Sequence, residues 1–172
     1  PAGEIVSLKL GQVMDLAALA ALLEASATGV WMRSSGWAYP VVNLVHLLGL
    51  VLLIGPILLL DLRVLGLGRQ LPLRAVCSLL TPWCVAGLLL LLGSGVLLFA
   101  ADATPLFSNQ TVRIKLLLIC VGVLNALAFR RVWGSRLHDW DRRPTRAGRI
   151  QAAISILCWL VTGGLGRLIA YG

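Results

Sequence analysis

The chain has 172 residues, of which 59% are hydrophobic and 13% are charged, with a mean hydropathy of +0.91 and a formal net charge of +8. A soluble domain carries about 25% charged residues, and one this apolar could not cover its surface with polar groups. The positive charges lie in the connections between apolar runs, so they read as membrane-flanking arginines and exclude a nucleic-acid partner.

In chain order, the first recognisable element covers Gln12 to Gly29. Leu16, Leu19, Ala20, Leu23 and Ala27 recur at helical spacing, and Asp15 and Glu24 interrupt the run. This pattern predicts an amphipathic helix lying at the outer membrane interface, with burial against a partner subunit as the alternative. Trp31, Trp37 and Tyr39 follow it, at the headgroup depth that amphipathic rings favour. Residues 1–39 are therefore expected to form an outer-face segment and 40–172 the transmembrane domain.

Four stretches then reach the roughly 20 residues needed to cross a hydrocarbon core. They lie at about 40–60, 79–100, 112–131 and 150–171. Lipid offers the backbone no hydrogen-bonding partner, so each must be a helix. The predicted fold is an all-α membrane protein, a four-transmembrane-helix bundle with an N-terminal interfacial helix. Pro56 should bend span one, and Pro82 should fall near the start of span two. Gly87, Gly93 and Gly95 in span two and Gly163, Gly164 and Gly166 in span four are candidate helix contacts.

The connection after span one carries Arg63, Arg69 and Arg74. The one after span three carries Arg130, Arg131, Arg136, Arg142, Arg143, Arg146 and Arg149, so the two hold ten of the 15 basic residues. The connection after span two holds no basic residue and has Asp102. The positive-inside rule then places both arginine-rich connections in the cytoplasm and both termini outside, in a bacterial inner membrane.

Cys77, Cys84, Cys120 and Cys158 lie in or beside apolar runs with no CxxC spacing, and read as small buried hydrophobes. Ionisable or amide groups inside a membrane are costly and so are site candidates. Asn43, His46, Lys115, Arg167 and Tyr171 all fall toward the outer ends of their spans. Such a group suits an anionic or polar ligand: haem propionates, a quinone carbonyl or a lipid headgroup. Each cation could instead snorkel to headgroups, and His46 could simply hydrogen-bond a neighbouring helix. At the inner ends, Asp61 is expected to pair with Arg63 or Arg130, beside Asn125.

A b-type haem would take His46 as an axial ligand. His138 lies in the inner arginine-rich connection, a separation approaching the roughly 30 Å hydrocarbon thickness. One iron cannot reach both. The second ligand would then be absent, Met32, or His46 of another copy. Hydrolytic templates are absent: there is no HExxH, no glycine-rich phosphate loop and no acid partner for a serine–histidine pair.

Tyr39-Pro40, His46 with Gly49, Asp61-Leu62-Arg63, the FAADA turn, Lys115, Asn125 and the terminal GRxIAY (Gly166, Arg167, Ile169, Ala170, Tyr171) occur in one order. In these features, over about residues 20–172, the chain resembles a bacterial family of small integral membrane proteins of unknown function. Members of that family often carry a histidine in an FHR pattern after the third span, where this chain has Phe129-Arg130-Arg131. More remotely, the layout is similar to four-helix cytochrome b and copper-resistance membrane proteins, a likeness of fold alone. Two functions are expected. One is a non-catalytic subunit or scaffold that packs against other membrane subunits or itself. The other is a haem- or quinone-interacting electron carrier using His46, and a transporter or lipid-binding role ranks below both.

Overall fold

The computed structural model describes residues 17–168, and side chains for residues 17–165. All regular structure among them is helical. Helix α1 (17–25) stops at Ser26, whose hydroxyl accepts the Gly29 N–H and starts α2 (Ala27–Ser34). The expected single amphipathic helix is thus two helices with a break at a serine cap; its first residues, 12–16, lie outside the described part.

Four long helices follow: α3 (Ala38–Leu65), α4 (Leu73–Ala101), α6 (Gln110–Trp133, extended by a 3₁₀ turn over Gly134–Arg136) and α7 (Arg146–Leu168). All four are long and apolar enough to cross a membrane. Each runs beyond the strictly apolar stretch that marks it in the sequence. At 1.5 Å per residue the 28 residues of α3 extend about 42 Å, enough to reach through both headgroup regions.

Their boundaries have local causes. Helix α3 continues through Pro56 and ends at Gly66, whose φ of 117° is open to glycine and strained for other residues. Helix α4 begins directly after Pro72, so Pro82 sits nearly three turns inside it and not near its start. The FAADA turn carries a short helix α5 (Ala103–Ser108). Asn109 then caps α6, its side-chain oxygen accepting the Thr111 N–H at 2.8 Å. Thr145 does the same for α7 through Gly148.

The spanning helices pack in the order α4–α3–α7–α6. Helices α3 and α4 make the most intimate pair: a Cβ at Gly87 would stand 2.5 Å from the Leu53 nitrogen, and one at Gly49 would stand 3.1 Å from the Gly87 oxygen. Leu53, Ile57 and Trp159 centre the packing between α3 and α7. At the end where α3 begins, Met32, Ala38 and Ala101 form a second cluster, so α2 caps α3 and α4. At the arginine-rich end, Val64, Leu73, Trp140 and Ala152 form a third.

Both ends are laced by long-range polar contacts. At the α3 start, Arg33 donates to the carbonyls of Ala101 and Glu24, each at 2.8 Å. The Glu24 carboxylate accepts the Thr104 N–H at 2.9 Å. Hydrogen bonding by Thr104, with a smaller effect of the Arg33 charge, holds that carboxyl below the usual range. At the other end, Arg63 donates twice to Asp141, at 2.6 and 3.0 Å, and once to the Leu71 carbonyl at 2.8 Å. Trp140 donates to the Val64 carbonyl at 3.1 Å. The two arginine-rich connections therefore lie at one end and are tied together.

This arrangement overturns the expected Asp61–Arg63 or Asp61–Arg130 pair. Residues two apart on a helix point to different sides, so Asp61 and Arg63 cannot share a partner surface. Arg63 turns to the connection before α7, while Asp61 faces Ser155 of α7 and keeps one carboxyl oxygen buried without a hydrogen bond.

Candidate functional site

Helix α3 carries His46 and helix α4 carries Ser94, and their close packing brings His46 Nδ1 to 2.9 Å from the Ser94 hydroxyl. Ser94 is buried and donates its own proton to the Leu90 carbonyl four residues back, at 2.5 Å. That proton is therefore committed. The contact to His46 requires Nδ1–H to donate and the serine oxygen to accept. In the neutral ring this leaves the lone pair on Nε2, the nitrogen free to accept a hydrogen bond or bind a metal. The edge of the ring at Cε1 lies against Gly95.

Lys115, half-buried on α6, lies within electrostatic reach of this ring. Among the described residues it makes no ion pair or hydrogen bond. The pair brought together is thus His46 and Ser94, from α3 and α4, with the Lys115 charge acting on the ring from α6 without contact. Asn43 does not join it: it is exposed on α3 and has no side-chain partner among the described residues. The Arg167 side chain and Tyr171 lie outside the described residues. Asn109 is used as the α6 cap, and Arg113 stacks over Phe107 and donates to its carbonyl.

Ser94 escaped the sequence reading. Its only signal is a lone hydroxyl in the Gly93-Ser94-Gly95 interruption of a leucine-rich helix, and nothing in one dimension pairs it with a residue 48 positions earlier. Met32 is fully buried against Ala38 and Ala101. His138 sits at the arginine-rich end, exposed, 2.8 Å from the Asp139 carboxylate. Among the described residues, no three His, Cys, Asp or Glu side chains gather to hold a metal ion. Cys158 is buried and donates to the Leu118 carbonyl, whereas Cys120, expected to be buried, is exposed on α6.

A second polar group is a strap between helices. Asn125 and Gln151 each donate to the other's backbone carbonyl, at 3.3 and 3.1 Å, and Trp133 donates to the Gln151 side chain at 3.0 Å. Reciprocal amide pairing of this kind fixes the register of α6 on α7.

These helices and their lipid-facing leucines define a multi-pass membrane protein with four candidate spans. More narrowly, the chain belongs to the Family of unknown function (DUF6644), whose profile matches residues 21–172. No curated protein and no solved structure matches it.

Proposed function

We propose that this protein is a non-catalytic subunit or scaffold of an assembly in the bacterial inner membrane. The observation that carries the reading is the position of α6. Among the spanning helices it packs substantially on α7 alone, and only 6% of its apolar stretch is buried, against 33% for α7. A bundle closed on itself would bury α6 against α4 as well. Leu117 and Leu124 stand seven residues apart on one exposed face of α6, the spacing at which a neighbouring helix packs.

Photo-cross-linking from positions 117 and 124 in native membranes tests this. A discrete protein adduct, either a second copy or another membrane protein, is expected at both positions. Adducts to lipid alone at both would remove the reading.

The His46–Ser94 geometry favours a second reading, a haem- or quinone-interacting electron carrier. An Nε2 lone pair set by an Nδ1–H donor is the arrangement that metal-binding and quinone-bonding histidines use. If a haem binds, His46 is the ligand on α3, and Lys115 supplies a positive charge for a propionate. Gently purified protein should then show a reduced-minus-oxidised band that is lost in His46→Ala; a featureless spectrum removes the haem form of this reading.

The orientation proposed has the arginine-rich end in the cytoplasm. Both basic connections meet at that end, which concentrates the charge that the positive-inside rule reads.

A further inference from the structure

Over residues 17–25 every exposed side chain of α1 is alanine or leucine, with Leu19, Leu22 and Leu23 the largest. Ala20 is buried, and the one charged residue of this stretch, Glu24, spends its carboxylate on the Thr104 N–H. Asp15, the other charge in the expected amphipathic pattern, lies outside the described residues. A surface helix in water sets a polar face opposite its apolar stripe. The described part of α1 has none to set, and would show water alanine and leucine on every side that the protein leaves open.

Three contacts fix the depth of α1 and α2 against the last turn of α4. A Cβ at Gly29 would stand 2.6 Å from the Ala100 oxygen. Arg33 donates to the Ala101 carbonyl, and Glu24 accepts from Thr104 just beyond the end of α4. The 29 residues of α4 extend about 43 Å, so its last turn rises out of a hydrocarbon core of roughly 30 Å into the headgroup layer. Helix α1 is thereby held at that layer. Trp31 and Trp37 stand near the start of α3 at the same end, edge to face with ring centroids 5.7 Å apart, and both are exposed. Indoles favour headgroup depth because the ring is apolar while its N–H keeps to the wet side.

We propose that α1 is an interfacial anchor whose leucine face sits among the acyl chains of the leaflet at the α3 start, with Trp31 and Trp37 at headgroup level. Lipid is the occupant these side chains fit. Acyl chains are as apolar as leucine and ask for no hydrogen bond, whereas a protein interface carries a polar rim that the exposed surface of α1 lacks. The anchor is independent of the subunit and electron-carrier readings, and of which side of the membrane the α3 start faces.

The test is spin-label accessibility in the full chain, in vesicles of phosphatidylethanolamine and phosphatidylglycerol, with the exposed native cysteine removed by Cys120→Ala. A nitroxide on Leu22→Cys should be relaxed more by oxygen, which partitions into acyl chains, than by a water-soluble nickel chelate. Its oxygen-to-nickel ratio should be at least about threefold higher than that of a label on Ser34→Cys, an exposed polar position of α2. Leu19→Cys, one turn away on the same face, gives the same reading if Leu22→Cys does not fold. Equal ratios at 22 and 34, or a preference for nickel at 22, would put α1 in water and overturn the proposal. A label at 22 that is immobile and shielded from both reagents also overturns it, because protein, either a second copy or residues 1–16 of this chain, would then cover the helix.

Discussion

Arg63 holds the arginine-rich end together through one buried guanidinium that serves three acceptors. It is 4% exposed, and Asp141, its ionic partner, is 38% exposed. Asp141→Asn should lower stability by about 1–3 kcal/mol, the lower part of the range for a buried charge losing its partner because water reaches the Asp141 side. Thermal unfolding in detergent measures it, with the exposed Asp139→Asn as the control expected to stay near zero. The pair also sets a pH dependence. Hydrogen bonding and charge from Arg63 hold the Asp141 carboxyl below its ordinary value. Its stabilisation is therefore full above the unfolded carboxyl pKa of about 4 and is lost as pH falls through the lower folded value. The acid-side loss should shrink in Asp141→Asn; an unchanged acid profile would mean that other carboxyls control it. At the opposite end, His46 should carry its proton on Nδ1. Imidazole nitrogen shifts in labelled protein check this, and Ser94→Ala should shift the ring toward a mixture of tautomers. A ring protonated on Nε2 in the unaltered protein would contradict the assigned donor direction.

At the scale of helices, contact is decided by where small residues meet backbone. Gly87 faces α3 so closely that a methyl group would strike the backbone at Leu53 and Gly49. Gly87→Ala should cost about 1–3 kcal/mol, because backbone cannot swing aside as a side chain can. Gly93, six residues on, faces open space, and Gly93→Ala should be neutral or slightly stabilising through better helix propensity. The paired thermal measurement separates packing from propensity: equal effects at both positions would refute the close crossing. Gly122 holds the indole of Trp159 in the same way, with 2.8 Å from a would-be Cβ to the ring. That contact places α6 on α7 together with the Asn125–Gln151 strap. Among the described glycines of span four, Gly163 meets only Ile54 and Gly164 meets open space, so these two play a smaller part.

For the molecule as a whole, the row α4–α3–α7–α6 leaves α6 with a single spanning neighbour and the least buried apolar stretch of the four. Bare leucines need no explanation in lipid, but a spanning helix with one neighbour gains little packing to hold its tilt and rotation. Helix α6 is thus the element most open to a partner. The orientation proposed for the whole molecule is tested with single cysteines at Pro105 and Arg142, both exposed in connections at opposite ends. An impermeant maleimide added to intact spheroplasts should label Pro105→Cys at once and Arg142→Cys only after lysis. The native cysteines lie within spanning helices, which keeps their background low. The reverse labelling would invert the orientation.

Membrane residence, the number of spans and the clustering of arginine in alternate connections were all legible in one dimension. They depend on composition and run length, which the thickness and dielectric of a bilayer read directly. So was the family, through the ordered motifs from Tyr39 to the C-terminus. Helix neighbours were not, because hydropathy that is high all round a helix carries no information about rotation. For that reason Ser94 was invisible as the partner of His46, and Asn43, about one turn away on the same helix, was expected to join His46 but does not. Asp141, inside a run of arginines, gave no sign that it would be the carboxylate Arg63 selects over Asp61. Tertiary structure decided these pairings because a buried polar group takes whichever partner the packed backbones bring within about 3 Å, and sequence distance does not measure that.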